Sequence, residues 1–290
     1  MVGEIQAILS LFSFALGACV ASFLNVIIWR VPRGESIVRP PSHCPKCGAA
    51  IRWYQNIPIL SWLALRGRCA NCRAPISPRY ILVELLGGGL FLAAFQKYGL
   101  VLLGCEMPWC FPLALQLVVM WVWISLMIVG SMIDFDHKLL PDFVTVGGMI
   151  LGVAEAFAFT AFSFAYGGDG PLSVRVSPLA NSLVGLAFGF GLLWLIRCLG
   201  SKAFRREAMG LGDVFLMGAV GALFGPVAVL VTLILSSVFG SVVGLSMVAL
   251  SKTRFGRFVE IPYGPYICLG CLAWMFCGPE LVRWYMGLFK

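Results

Sequence analysis

Charged side chains are scarce in this sequence, and their scarcity excludes an ordinary soluble domain. Only 12% of the 290 residues are charged, whereas 60% are hydrophobic. A typical soluble domain carries about 25% charged residues. Apolar runs long enough to cross a bilayer recur along the whole chain. The composition therefore predicts a polytopic membrane protein.

Three further features are absent from the sequence. There is no internal repeat, which disfavours a transporter built from repeated halves. There is no Gly-rich strand-to-helix signature of the usual dinucleotide-type cofactor fold. The first apolar run lacks a basic segment before it and a small-residue cleavage site after it, so we expect a retained helix and not a signal peptide.

The apolar runs predict an all-α fold of about eight transmembrane helices. The sixth and seventh meet near Gly225-Pro226, where we expect a tight turn or a break. We divide the chain into a first transmembrane helix (1–29), a polar loop domain (30–80) and a transmembrane core (81–290). The predicted spans are residues 5–29, 81–96, 112–133, 143–166, 178–199, 213–228, 229–250 and 264–286.

Basic residues concentrate on one side of the predicted membrane. With eight spans, all but four of the 21 Lys and Arg fall on that side. The positive-inside rule makes it cytoplasmic and puts both termini outside. Topology and anionic lipid headgroups account for the net charge of +8 without nucleic acid. The four exceptions are Lys97, Arg175, Arg283 and Lys290.

The polar loop 30–80 contains two Cys-x2-Cys knuckles. Cys44 and Cys47 form the first, and Cys69 and Cys72 form the second, 21 residues further on. Four thiolates so arranged can close a tetrahedron around zinc, although this gap is at the upper edge of the usual range. A loop of this length buries little core, so we expect a structural zinc ion to stabilise it. Reduced, unliganded cysteines are the alternative.

Acidic residues number only 13, and a few lie at membrane depth. Asp134 ends the third predicted span and Asp213 begins the sixth, which places both at the same cytoplasmic depth. Asp136 is expected to be solvated or paired, and Asp142 to cap a helix. An ionisable group at membrane depth is a functional candidate because burying it is costly.

Asp134 and Asp213 predict an aspartic-protease type of chemistry. Two carboxylates held close together cannot both ionise easily and share a proton. One then acts as a base toward water while the other donates to a carbonyl oxygen. Gly210 and Gly212 let backbone approach closely, which leaves room for a peptide substrate or a neighbouring helix. A first-turn acid facing the helix dipole is the alternative for Asp213.

Several motifs of the sequence resemble those of a known family. Gly210-Leu211-Gly212-Asp213 is a Gly-x-Gly-Asp motif, and DFDHKLLPD at 134–142 accompanies it. Together they resemble the bacterial type IV prepilin peptidases, which are leader peptidases and N-methyltransferases. The resemblance runs over nearly the whole chain, through SFLNVIIWRVP (22–32), both cysteine knuckles, NIPILSWLALRGRC (56–69), RYILVEL (79–85) and IPYGPYI (261–267).

The resemblance implies that Asp134 and Asp213 are the catalytic pair. The substrates would be precursors of type IV pilins and of the pseudopilins of type II secretion. Cleavage would follow a glycine at the cytoplasmic face of the bacterial inner membrane. Family members often carry a lysine two residues after the second aspartate, whereas Val214 and Phe215 follow Asp213 here.

The resemblance also implies that the new N-terminus is methylated with S-adenosylmethionine, an activity tied to the cysteine loop. Trp53, Tyr54 and Asn56 could stack on or hydrogen-bond an adenine, or simply pack the loop. Glu84 could neutralise the cationic cofactor or the substrate amine, or serve as a hydrogen bonder between helices. A proton or cation transporter with a regulatory zinc loop, and a non-catalytic scaffold, are the rival functions.

Overall fold

The structure, a computed structural model, describes residues 2–105, 110–166, 178–205, 207, 209–250 and 262–288. Several basic residues that the topology prediction uses lie outside these ranges, namely Arg175, Arg206, Lys252, Arg254, Arg257 and Lys290. The chain forms two compact units, residues 1–129 and residues 130–290. The three-part division predicted from the sequence stays a prediction.

The described residues fold into helices, which confirms the predicted all-α class. A 3-10 turn over Trp53–Asn56 lies in the cysteine loop, and a π turn and a 3-10 turn extend the third α-helix to Gly104. The α-helices are α1 (Val2–Arg30), α2 (Leu60–Ala64), α3 (Pro78–Ala94), α4 (Cys110–His137), α5 (Asp142–Tyr166), α6 (Pro178–Phe204), α7 (Leu211–Phe224), α8 (Pro226–Leu250) and α9 (Gly264–Gly287).

Seven of these helical segments are long and apolar enough to cross a membrane. The exception among the predicted spans is α7, which has only 14 residues. At 1.5 Å per residue it is about 21 Å long, shorter than the ~30 Å hydrocarbon core. It ends where the sequence predicted a break, because Gly225 adopts φ +81° and Pro226 begins α8.

Small residues bring α1 and α3 into close contact in the first unit. A Cβ on Gly17 would lie 2.6 Å from the carbonyl oxygen of Gly87, and one on Gly87 would lie 2.5 Å from Ala21 Cβ. Such close backbone approach is how membrane helices gain packing energy without a hydrophobic driving force. Phe91 of α3 also stacks on Trp121 of α4, with ring centroids 5.3 Å apart.

In the second unit α7 is surrounded by other helices. Nine of its residues, including Asp213, are buried. A Cβ on Gly221 of α7 would lie 2.0 Å from the carbonyl oxygen of Gly185 in α6, and one on Gly152 of α5 would lie 2.8 Å from the backbone of α7. A helix that is apolar on all sides is expected to be buried in this way. This burial places the first turn of α7, which carries Asp213, inside the unit.

Candidate functional site

Asp134 lies near the end of α4, and its side chain is buried. Only 6% of the residue is exposed. Its Oδ2 accepts the backbone N–H of Gly264, the first residue of α9, at 3.0 Å. A buried carboxylate needs such a donor because it has lost its water. The first turn of α9 therefore forms one side of the Asp134 environment.

Asp213 lies in the first turn of α7 and is equally buried, with 7% of the residue exposed. The backbone of Gly210 lies beside its carboxylate, since a Cβ on Gly210 would be 3.6 Å from Asp213 Oδ2, and the carboxylate interacts electrostatically with Asp134. The structure thus brings together the two aspartates that the sequence singled out. A pair of buried, mutually interacting carboxylates can share a proton and perform acid–base chemistry.

The glycines around the pair differ in the space they leave. A Cβ on Gly212 would lie 2.8 Å from Leu140 Cβ, and one on Gly264 would lie 2.7 Å from Asp134 Oδ2. A Cβ on Gly210 would meet only Asp213 Oδ2, at 3.6 Å, which is ordinary contact. The Leu140 side chain therefore occupies the space beside Gly212, whereas the space beside Gly210 is open.

Cys268 of α9 contributes a third polar group near the pair. It is 3% exposed, its thiol hydrogen-bonds with Ser131, and it interacts electrostatically with both Asp134 and Asp213. Neither this thiol nor Gly264 was among the site residues predicted from the sequence. Gly264 lies in the IPYGPYI motif, but the sequence does not show that this motif contacts Asp134.

The other two acids of the stretch DFDHKLLPD, at 134–142, are not buried. Asp136 and Asp142 are exposed, and Asp142 is the first residue of α5. After Asp213, Val214 is fully buried, and Phe215 packs on Phe190 with ring centroids 5.5 Å apart. Phe215, at the position where the family resemblance led us to expect a lysine, thus takes part in helix packing.

The four cysteines of the loop come together. Their Sγ atoms all lie within 4.8 Å of one another, and those of Cys44 and Cys72 are 3.9 Å apart. Tetrahedral zinc with Zn–S bonds of about 2.3 Å separates its sulfurs by about 3.8 Å. The donor set and its spacing therefore fit a zinc ion.

Both knuckles have the same backbone geometry. The N–H of Cys44 donates to Ala49 and that of Cys69 donates to Ala74, at 2.9 and 2.8 Å. The residue after each knuckle is in the left-handed region, with Gly48 at φ +69° and Arg73 at φ +60°. Such turns aim backbone N–H groups at the sulfurs. The N–H of Ala49, and then the Asn71 amide, lower the pKa of Cys47 to about 6.

A cavity of about 850 Å³ lies between the cysteine loop and helices α1 and α3. This volume is in the range of small-molecule sites, which is roughly 300–1,000 Å³. Three of the four candidate cofactor residues line it: Tyr54, Asn56 and Glu84. The fourth, Trp53, is not among its lining residues and is 81% exposed, with its ring edge-on to Tyr54.

A strained turn in the loop is attached to Glu84. Ile59 has φ +64° and ψ −55°, and Leu60 N–H donates to Pro58 O at 2.6 Å, which together define the rare γ-turn with positive φ. For a β-branched residue this conformation is an outlier that surrounding contacts must maintain. The buried carboxylate of Glu84 supplies one, since its Oε2 accepts the Ile59 N–H at 2.7 Å.

Comparisons with known proteins agree with this arrangement. Residues 15–98 match the family described as the bacterial peptidase A24 N-terminal domain. Residues 121–245 match the type IV leader peptidase family. The first match contains the cysteine loop and the second contains both Asp134 and Asp213. No solved structure matches the chain.

Curated relatives are similar over most of their length. The prepilin leader peptidase/N-methyltransferase of Myxococcus xanthus is 40% identical, over 97% of this chain and 76% of the relative. The protein of the same name from Legionella pneumophila is 34% identical, over 97% of this chain and 94% of the relative. An Escherichia coli enzyme that processes the leader peptides of type 4 prepilin-like proteins is 34% identical, over 89% and 90%.

Proposed function

The chain belongs to the type IV prepilin leader peptidase/N-methyltransferase family, the A24 peptidases, and we propose that Asp134 and Asp213 are its catalytic pair. It is a multi-pass membrane enzyme that processes type 4 prepilin-like proteins. The observation that carries the proposal is that two buried carboxylates, one from α4 and one from α7, interact electrostatically. Family membership gives the activity, and this interaction supports the proposed residues.

The pair cleaves a peptide bond by sharing one proton. The ionised carboxylate removes a proton from water, and the resulting hydroxide attacks the scissile carbonyl carbon. The protonated carboxyl donates to the carbonyl oxygen and then takes up a proton again as the tetrahedral species collapses. The leaving amine receives the proton that water lost. Neither a metal nor a side-chain nucleophile is needed for these steps.

The proposed substrates are prepilins of type IV pili and pseudopilins of type II secretion. Each has a short basic leader followed by a hydrophobic helix, and cleavage follows a glycine at that boundary. The predicted topology puts the aspartates at the cytoplasmic face of the bacterial inner membrane, with the termini in the periplasm. A leader held outside the bilayer and a helix within it would present the scissile bond at that depth.

Cleavage of a prepilin in detergent tests the pair. We expect Asp134→Ala and Asp213→Ala to abolish leader removal, and the exposed Asp136→Ala and Asp142→Ala to retain it. Full cleavage by either of the first two variants would overturn the assignment. A dead Asp136→Ala or Asp142→Ala enzyme would move the pair. A transporter, the rival function, would show proton or cation flux that depends on both aspartates and no leader removal.

The proposed metal is a structural zinc ion held by Cys44, Cys47, Cys69 and Cys72. Sulfur-to-sulfur spacing, two matched knuckles and an all-thiol donor set support it. With four protein ligands the site is closed, so zinc would stabilise the loop and take no part in chemistry. We expect one zinc per chain in the purified protein. Metal analysis that finds none would contradict this.

The proposed methyl donor is S-adenosylmethionine, and the proposed site is the cavity beside the cysteine loop. The donor supplies an electrophilic methyl group on a positively charged sulfur. In this cavity Tyr54 presents an aromatic face, Asn56 an amide, and Glu84 a carboxylate of opposite charge. Trp53, the remaining candidate, lies outside this cavity, and we expect it to contribute little. The three lining groups would bind and orient the donor and attract the amine of the cleaved pilin.

Donor binding can be measured apart from activity. Labelled S-adenosylmethionine should bind the wild-type protein in detergent, and Glu84→Ala should bind it at least tenfold more weakly, since a lost charge-assisted contact costs about 1.5–3 kcal/mol. Asp213→Ala, with its change in the other unit, should bind it as the wild type does. Equal binding by wild type and Glu84→Ala would remove Glu84 from the donor site.

A further inference from the structure

A glycine backbone lies beside each proposed catalytic carboxylate. The Gly264 N–H donates to Asp134 Oδ2 at 3.0 Å, and Gly210 lies against Asp213, since a Cβ on Gly210 would be 3.6 Å from Asp213 Oδ2. Glycine has no side chain whose contacts could fix the position of its backbone. The position of each glycine therefore depends on the residue that precedes it, Tyr263 in one case and Met209 in the other. Tyr263 is hydrogen-bonded to helix α8, and Met209 is hydrogen-bonded to helix α6.

Tyr263 ties the start of α9 to α8. Its hydroxyl lies 2.8 Å from Oγ of Ser236 and 3.3 Å from Oγ of Ser237. Both serine hydroxyls donate to the carbonyl of Leu233, at 3.0 and 2.8 Å. Their oxygens are then acceptors, so the Tyr263 O–H is the donor. Ser236 is fully buried, which makes this hydrogen bond costly to break.

Arg197 of α6 holds the segment before Gly210. Its Nε donates to the carbonyl of Met209 at 2.9 Å, and a terminal nitrogen lies 3.3 Å from a carboxylate oxygen of Glu207. The Glu207 side chain is 83% exposed, so that ion pair adds little stability. The bond to Met209 is the one that fixes the backbone leading into Gly210 and Asp213.

We propose that Tyr263 and Arg197 are positioning residues for peptide cleavage. Each holds a glycine backbone beside one carboxylate: Tyr263 holds Gly264 beside Asp134, and Arg197 holds Gly210 beside Asp213. Neither is proposed to contact substrate. The inference rests on the proposed catalytic pair. It gives a role to two residues that lie outside both the Gly-x-Gly-Asp motif and the stretch DFDHKLLPD at 134–142.

The test compares each residue with a matched neighbour. We expect Tyr263→Phe to lower kcat for prepilin cleavage about 2- to 10-fold, the loss of one net hydrogen bond. Arg197→Gln should lower kcat by up to about 100-fold, since a displacement of about 1 Å at a reacting group costs that much. KM should stay within about twofold in both variants, because binding contacts are untouched.

The controls are Tyr266→Phe and Glu207→Gln. Tyr266 lies in the first turn of α9, three residues after Tyr263, and its hydroxyl makes no hydrogen bond to any residue that the structure describes. Glu207→Gln removes the surface ion pair and leaves the Met209 contact. Both controls should keep kcat within about twofold of the wild type. Arg197→Lys, which keeps a donor and the charge, should recover part of the activity lost in Arg197→Gln.

Methyl transfer to an already cleaved pilin separates positioning from folding. It should be unchanged in Tyr263→Phe and Arg197→Gln if only the carboxylates are misplaced. Unchanged kcat for cleavage, a loss confined to KM, or a parallel loss of both activities would each overturn the inference. If Asp134→Ala is inactive while Tyr263→Phe and Arg197→Gln behave as wild type, only this inference fails. An active Asp134→Ala enzyme would overturn the catalytic pair itself.

Discussion

The two units of this chain place their polar groups in opposite ways. In residues 1–129 the cysteines lie in a polar loop between helices, and only Cys44 of the four is buried. In residues 130–290 the two aspartates are buried among apolar helices, each beside a glycine backbone. The first arrangement is local, and its four thiols fit a metal ion. The second depends on residues more than a hundred positions apart, such as Asp134 and Gly264.

This contrast suggests that the two activities fail for different reasons. A change at the cysteines should damage a self-contained loop and leave the helices that carry the aspartates intact. A change at the aspartates or their supports should stop proton transfer and leave the loop folded. Variants that lose one activity and keep the other would support separate sites for the two activities. Variants that lose both would argue against separate sites.

Replacing the four cysteines by serine should give the largest effect. A structural zinc site contributes about 10 kcal/mol or more to folding, so its loss should unfold the loop. We expect methyl transfer to an already cleaved pilin to fall more than about 100-fold and bound zinc to disappear. Leader removal should change by about threefold at most. Cys277→Ser, an exposed cysteine of α9, is the control and should keep both activities.

Gly212→Ala should have the next largest effect, this time on cleavage. The new Cβ would lie 2.8 Å from Leu140 Cβ, so α7 or the Leu140 segment must shift. Overpacking of about 1–3 kcal/mol corresponds to about a tenfold or greater loss of kcat if the carboxylates bear it. Adding Leu140→Ala should restore much of the loss. Gly191→Ala, where a Cβ meets open space in α6, should be silent.

Glu84→Gln should produce a smaller effect, on methyl transfer alone. Glutamine keeps an oxygen to accept the Ile59 N–H but loses the negative charge. We expect the KM for the methyl donor to rise about tenfold while the loop stays folded. Glu84→Ala, which also releases the strained turn, should lose more. If Glu84→Gln matches the wild type, the carboxylate supports the turn and does not bind the donor.

Trp53→Ala should have the smallest effect. The side chain is 81% exposed and is not among the residues lining the cavity. We expect the KM for the methyl donor to change by less than about twofold, and Tyr54→Ala to raise it more. A large effect of Trp53→Ala and none of Tyr54→Ala would mean that the donor lies on the loop surface and not in the cavity.

Much of this architecture was predictable because hydrophobic length and residue spacing are local signals. The apolar runs predicted the helices, and the two Cys-x2-Cys knuckles predicted the cluster that the structure shows. The interaction between Asp134 and Asp213 was expected from their equal predicted membrane depth, and their catalytic role stays a proposal. The break at Gly225-Pro226 was visible because glycine and proline mark chain reversals.

Other features could not be predicted, because they depend on contacts between distant segments. The sequence predicted that α7 spans the membrane, but the helix has only 14 residues and ends at the break at Gly225. Gly210, Gly264 and Tyr263 lie in motifs that the sequence shows, but nothing in those motifs tells which side chain each one contacts, and Arg197 lies in no motif at all. The γ-turn at Ile59 defies the usual preferences of its residue type and exists only because tertiary contacts such as that from Glu84 hold it.

The most direct test of the central claim follows both reactions on one prepilin by mass spectrometry, using Asp213→Asn, the four-cysteine variant and an equal mixture of the two. Asp213→Asn should leave the leader in place, and the cysteine variant should remove it without adding a methyl group. The mixture should yield cleaved, methylated pilin. Leader removal by Asp213→Asn, or a mixture that yields neither product, would contradict the account.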